Sequence, residues 1–195
     1  KKWQLIKMLK EKMKTERISH TIVYCAKGDS QEITQMISEL GISAQAFIGE
    51  VSIPNRKKLL TLFDQGKVQI LVAMKCLDEG VDVPATKEAY FLASTMNPRE
   101  FVQRRGRILR KSHNKDEAII HDFIVVPDAQ SEADIAEKII RKEMPRFAEF
   151  SMNAINMYSA QSLIKENLET YSLEFLMEKL PWEVYLEDKE RYSEE

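Results

Sequence analysis

Residues 21–73 read TIVYCAKGDSQEITQMISELGISAQAFIGEVSIPNRKKLLTLFDQGKVQILVA, and the alternation inside this stretch decides the fold. TIVYC (21–25), AQAFI (44–48) and VQILVA (68–73) are short runs rich in β-branched and aromatic residues, which fit buried strands. Between them lie two helical patterns. Asp29 and Glu32 read as a capping box for a helix ending near Leu40, with Gly41 as its stop. Ser52 and Pro54 open another, with Leu59, Leu60, Leu62 and Phe63 as its apolar face and Gly66 beyond its end. Strands alternating with helices of this length predict an α/β sandwich with a mainly parallel sheet.

Outward from this stretch the same reading continues. Trp3, Ile6 and Leu9 recur at helical spacing, so residues 2–15 form an amphipathic helix with a lysine-rich outer face. Residues 89–93 and 118–126 supply a fourth and a fifth strand. From about Ser131 strand signals vanish, and a helical extension over 129–195 follows a first domain over 1–128. Its first helix carries Ile135, Ile139, Ile140 and Phe147, with Pro145 as a kink or a break. Ile155, Leu163, Ile164 and Leu168 mark a second helix; Leu173, Leu176 and Leu180 mark a third, which Pro181 ends. The acidic tail after Trp182 reads as solvated. In parallel sheets ligands bind outside the carboxyl ends of the strands, so the loops after Cys25, Ile48, Ala73 and Ala93 are the places to look for chemistry.

One further helix stands out. Asn97 is a good N-cap, Pro98 suits the first helical position, and Glu100 completes a capping box. Gln103, Arg107 and Arg110 then fall within one narrow arc at i, i+4 and i+7. Phe101 with Ile108, and Val102 with Leu109, lie on the other side, and Arg105 projects between those two apolar pairs. Gly106 ends or loosens the helix. Two guanidiniums on an anchored helix suit a phosphate, which each can meet with two parallel hydrogen bonds.

Composition narrows the class. With 44% hydrophobic and 31% charged residues among 195, the chain has the make-up of a globular protein. No apolar run is long enough to span a bilayer, so an intracellular, cytoplasmic protein without membrane contact is expected. Lys1 at the start suggests a piece of a larger polypeptide. Cys25 and Cys76 read as two buried, reduced thiols. His20, His113 and His121 form no metal-ligand spacing, and no metal held by this chain is expected. The net charge of −2 excludes a uniformly basic coat, but charge is segregated. Residues 99–115 hold seven Lys/Arg against one Glu; residues 1–17 hold seven against two acids; residues 171–195 hold eight acids against three bases.

Taken in chain order, the loops resemble the second RecA-like domain, the helicase C-terminal domain, of a superfamily 2 helicase or translocase. The resemblance covers roughly residues 18–127. Thr21–Cys25 resembles motif IV, and Ile48–Arg56 resembles the "HGxxxxxxR" segment, with Phe63 and Gly66 at the expected distance. Residues 70–84 (ILVAMKCLDEGVDVP) resemble motif V, and Gln103–Arg110 (QRRGRILR) resembles "QRxGRxxR", motif VI. The wording "EGVDVPA" and "QRRGRILR" is similar to DNA-directed members, the XPB-type repair translocases and the motors of type I and III restriction enzymes. DEAD-box RNA helicases carry His at the Gln103 position. Two departures stand out: Ile48 replaces the usual His, and Met74 replaces a Thr or Ser whose hydroxyl often contacts a strand phosphate.

The resemblance implies a RecA-like three-layer sandwich and a role as half of an ATP-dependent DNA motor. ATP with Mg²⁺ would lie between this domain and an N-terminal RecA-like domain of the same polypeptide, which would hold most of the metal's ligands. Arg107 and Arg110 would reach across as arginine fingers. Gln103 would hydrogen-bond toward the γ-phosphate or the carboxylates of the other domain. Gly80 would allow close backbone approach, and Asp82 would accept from the ribose or orient the arginines. Backbone amides at Ala26, Lys27, Gly28, Gly49 and Glu50 would track nucleic-acid phosphates, with Thr95 beside them. Met74 offers no hydroxyl, and Lys75 could supply charge instead. Arg56 reads as a structural ion pair and not as a phosphate ligand. No "GxxxxGK[ST]" and no "DE-x-[HD]" box occurs, so this chain alone is expected not to hydrolyse ATP. The competing readings are a non-catalytic nucleic-acid-binding or scaffolding module and an RNA helicase domain.

Overall fold

The computed structural model describes residues 1–74, 83, 86–93, 97–110, 115–128 and 130–192. Cys76, Lys75, Gly80, Asp82, Thr95 and His113 lie outside them. The order is α1 (Lys2–Lys12), β1 (Thr21–Tyr24), α2 (Ser30–Ser38), β2 (Ala44–Phe47), α3 (Ile53–Asp64), β3 (Ile70–Ala73), β4 (Glu88–Phe91), α4 (Pro98–Ile108), β5 (Ile119–Asp122), α5 (Ala133–Met152) and α6 (Met157–Thr170). A 3₁₀ helix (Glu174–Met177) and α7 (Pro181–Tyr192) close the chain's described part.

The sheet runs β2-β3-β1-β4-β5 with every pairing parallel. β1 is central, with Tyr24 opposite Ala73 on one side and Phe91 on the other. Its chain leaves toward β2, whereas the chain from β4 leaves toward β5, so the strand order reverses between β1 and β4. At such a point the two following loops diverge and leave a crevice at the carboxyl ends. β1, β3 and β4 are buried along their whole length, as a strand covered on both faces must be. Val23, Ile70, Val72 and Tyr90 face a core closed by Leu5, Ile6 and Leu9 of α1 and Ile33 and Ile37 of α2. On the reverse face Tyr24 and Phe91 stack with centroids 4.7 Å apart. Helices on both faces of a parallel sheet make the expected three-layer RecA-like sandwich.

Several local expectations give way to tertiary partners. Asp29 and Glu32 form no capping box: Asp29 makes no side-chain cap bond, and both carboxylates accept from Lys2 Nζ at 2.8 and 2.7 Å. α1 buries Leu5 beside Ile6 and Leu9, and Trp3 stands 81% exposed. Cys25 is a buried free thiol, as its setting suggests. β5 is shorter than the apolar run that announced it, because the chain leaves the sheet after Asp122.

Glu88 is the buried charge of this layer. Its carboxylate accepts from Lys12 Nζ at 3.0 Å and Tyr90 Oη at 2.9 Å and lies 2.7 Å from His121 Nε2. Burial by itself would raise this carboxyl, but hydrogen bonds from His121, Lys12 and Tyr90 outweigh it and hold the group below the usual glutamate value. A folded carboxyl more acidic than the unfolded one stabilises fully above pH 4.5, the ordinary value, and loses that contribution as pH falls through the lower folded value. The midpoint of urea unfolding is therefore expected to drop below pH 4.5, and Glu88→Gln to flatten that drop.

By its internal contacts the chain divides into two compact units, Lys1–Ser94 with Gln103–Phe123, and Thr95–Val102 with Ile124–Glu195; the boundary falls within α4. The second unit has its own core of Ile140, Met144, Ile164, Leu168, Leu173, Leu176 and Val184. α5 runs unbroken through Pro145. Ile155, expected on the second helix, precedes it and is exposed. Pro181 both ends the preceding run and opens α7, where a missing N–H costs nothing. The tail is thus helical as far as Tyr192; Glu183 and Glu190 stay exposed as expected, but Asp188 is buried. Arg141, 3% exposed, donates from Nε to Asp188 at 2.8 Å and from Nη2 to Glu187 at 2.7 Å, binding α7 to α5.

Candidate functional site

α4 begins as its sequence dictates: Asn97 Oδ1 accepts from the Arg99 amide at 3.1 Å, with Pro98 between them. The helix passes through Gly106 without interruption and ends at Ile108. A Cβ on Gly106 would meet nothing within 4 Å, so the packing of this chain does not demand a glycine there.

The helix sorts its basic residues by face. Phe101, Arg104 and Ile108 are buried, at i, i+3 and i+7, while Gln103 is exposed and Arg107 half-buried. Leu109 is 47% exposed, so the expected Val102/Leu109 anchor is replaced by the Arg104 position. The Arg104 guanidinium lies over the Tyr24 ring, 5.4 Å from its centroid, fastening α4 to the central strand by a cation–π contact. Arginine is read by default as a surface residue, which hid this. The available signal was its helical spacing from Phe101 and Ile108.

Arg110 lies just beyond the last helical residue, where its amide turns back to Arg107 O at 3.3 Å. It is exposed at the helix exit and is not a third position on the helical arc. Lys115, which the sequence did not single out, holds that exit. Its ammonium donates to the carbonyls of Ile108 and of Arg110, the latter at 3.1 Å. A cation on the last carbonyls satisfies orphan acceptors and complements the helix dipole. Burial lowers the Lys115 pKa from its ordinary value. Lys115→Ala is expected to cost about 1–2 kcal/mol and to speed amide exchange at Leu109 and Arg110 by about tenfold, read by hydrogen–deuterium exchange; unchanged exchange would show that Lys115 does not hold this turn.

At the carboxyl ends of β1 and β2 two loops are exposed. Ala26, Lys27 and Gly28 are exposed, and none of their amides donates to a described residue's backbone. Gly28 takes φ +92°, a conformation that favours glycine. Gly49 and Glu50 are exposed in the turn after β2. Arg56 donates there from Nε to Val51 O at 2.7 Å and from Nη2 to Gly49 O. It is structural, as expected, but it grips carbonyls and forms no ion pair with a described residue. Met74 packs partly buried against the core. Among the described residues no three His, Cys, Asp or Glu side chains gather as metal ligands, and no helix is long and apolar enough to cross a membrane.

Residues 1–112 match the family described as "Helicase conserved C-terminal domain". That span takes in α1, which the motifs alone, starting at residue 18, left out. Among curated proteins the chain is similar to a probable ATP-dependent RNA helicase of Methanocaldococcus jannaschii, at 32% identity over 87 residues, 44% of this chain and 24% of that protein. It is also similar to the DNA 3'-5' translocase XPB2 of Sulfurisphaera tokodaii, at 38% over 69 residues, 35% of this chain and 15% of that one. The matched part thus spans about a quarter or less of these relatives. Among solved structures, the Hef helicase domain of Pyrococcus furiosus superposes with a TM-score of 0.50 at 26% identity, covering 70% of this chain and 27% of that one. The C-terminal part of the Fun30 ATPase domain gives 0.58 over 88% of this chain and 53% of that one, a likeness of fold alone at 14% identity.

Proposed function

The chain belongs to the helicase conserved C-terminal domain family, and from that premise we propose that it is the second motor domain of an ATP-dependent DNA helicase or translocase. The observation that carries this reading is the sorting of α4: Arg104 is buried over Tyr24, while Gln103 is exposed, Arg107 half-buried, and Arg110 exposed just past the helix end. A polar and cationic outer face, beside a glycine that this chain's own packing does not require, suits a surface that meets something outside the domain.

In this reading residues 1–128 form the motor domain and residues 129–195 a helical extension. Arg107 and Arg110 reach a phosphoryl group of ATP held by an N-terminal RecA-like domain of the same polypeptide. Phosphoryl transfer needs positioning and positive charge more than covalent chemistry, which guanidiniums supply. Gln103 donates or accepts beside them, and Gly80 and Asp82 bring backbone and a carboxylate to the nucleotide. Mg²⁺, which neutralises the phosphates when bound, takes its ligands mainly from the other domain. The amides at 26–28 and 49–50, with Thr95 and Lys75, follow a phosphate backbone without reading bases. The motif wording, with Gln at 103, favours DNA over RNA.

ATP hydrolysis by this chain and by a full-length parent, each with duplex DNA, single-stranded DNA or RNA, tests the reading. A silent chain and a DNA-stimulated parent support it. Activity in the chain alone refutes the divided site, stimulation only by RNA moves the substrate class, and silence in both favours a binding or scaffolding module.

A further inference from the structure

α4 is the one described helix or strand that the division into compact units cuts. Its residues up to Val102 belong by their contacts to the helical unit, and those from Gln103 onward to the unit of the sheet. Each part has its own fastening. Phe101, 1% exposed, meets Phe150 of α5 edge to face, with centroids 6.1 Å apart and ring planes at 86°. Arg104, one turn on, lies over Tyr24 of the central strand, and Ile108 is buried beyond it on the same face. One unbroken helix is thus held at its start by the helical unit and further along by the other.

α5 is built to hold such a ring. Between Ile140 and Ser151 it is buried over most of its circumference, as befits a helix running through an interior. Ile140 and Met144 face the core that also holds Ile164 and Val184. Glu143, Arg146 and Phe150 recur at i, i+3 and i+7 on a separate stripe, within an arc of about 60°. There Arg146 Nη2 donates to Glu143 Oε2 at 2.6 Å, with both residues buried. A buried ion pair resists any rotation of α5 that would unpair it, so the ring beside it keeps its place.

Gln103 and Arg107 stand about 160° and 120° around α4 from Phe101, so their direction follows the seating of the opposite face. With Phe101 released, α4 could roll about the line from Arg104 to Ile108. A roll of about 10° moves a guanidinium roughly 6 Å from the axis by about 1 Å, and a misplacement of that size can cost up to about 100-fold in rate. We propose that Phe150 is a positioning residue for ATP hydrolysis: through Phe101 it sets the roll of α4, and with it the reach of Gln103 and Arg107. The proposal rests on the motor reading above and makes the helical extension part of the motor.

The test uses the full-length polypeptide with saturating DNA and reads kcat, the KM for ATP and the thermal midpoint of each variant. Phe150→Ala is expected to lower kcat about tenfold with KM within about twofold, since the arginines act in the transition state while the other domain holds ATP. Phe150→Leu keeps most of the volume and is expected to lose only about threefold; it decides by the same criteria if the alanine variant does not fold. Phe101→Ala with Phe150→Ala is expected to lose no more than Phe101→Ala alone, because the second ring acts only through the first. Ile164→Ala, in a core that includes neither ring, is expected to lower the thermal midpoint and leave kcat unchanged below it. Unchanged kcat in both Phe150 variants overturns the positioning role and leaves the motor reading standing. Equal losses in Ile164→Ala and Phe150→Ala, in step with their midpoints, overturn it in favour of a plain structural role. A parent without DNA-stimulated turnover overturns both.

Discussion

Arg107→Ala in a full-length polypeptide is expected to lower ATP turnover by about 10³-fold or more, roughly 4 kcal/mol of barrier, with little change in folding. The side chain lies half-buried on the side of α4 away from Phe101 and Ile108, so truncation removes charge from the accessible face and opens no core cavity. Arg107→Lys keeps the charge but loses the planar fork, and recovers little. The contrast with Arg104→Ala separates chemistry from architecture. That substitution removes the contact over Tyr24 and leaves a void beneath α4, so its loss of activity follows a fall in thermal midpoint. Steady-state ATPase rates beside thermal unfolding of each variant check the pair. Full turnover in Arg107→Ala would remove the finger assignment.

Arg141→Ala is expected to destabilise the helical unit by about 3–5 kcal/mol, because it strands Asp188 as a buried carboxylate. Glu187 loses one of its two donors and keeps Lys179. The double substitution Arg141→Met with Asp188→Leu removes both charges and is expected to recover most of that loss. Urea unfolding measures the difference, and limited proteolysis locates it, since α7 is the element released. If the single and double variants unfold alike, the network does not hold α7.

The two expected results differ in how far the sequence announced them. The strands were legible because residues 21–25 and 68–73 are apolar runs that only a sheet covered on both faces accommodates; the errors were of one to four residues at their ends. That Gln103 and Arg107 share a helix with Phe101 and Ile108 but not their buried face was legible from spacing alone. What failed was every inference that treated a local pattern as complete. Asp29 and Glu32 have the spacing of a capping box, yet Lys2, nearly thirty residues earlier, takes both carboxylates. Glu187 and Asp188 read as solvated because their partner, Arg141, is more than forty residues away. Arg110 was placed on a continued helix, whereas the helix ends two residues before it and Lys115 ties the exit. Local propensity is a weak guide wherever a distant charge offers a better partner. Gly80, Asp82, Lys75 and Thr95 lie outside the described residues and rest on the resemblance alone.

The grip of Arg56 makes the turn after β2 a splinted loop. The carbonyls of Gly49 and Val51 are taken by the guanidinium, and that of Ile48 by the Val51 amide. With one bond on each of these three carbonyls, the backbone of the turn is fixed in shape by a side chain seven residues beyond Gly49, while Glu50 remains exposed. Substituting Arg56 would therefore remove a splint as well as a charge: two carbonyls would lose their donor at once, and the turn would be left to hold its shape by backbone alone.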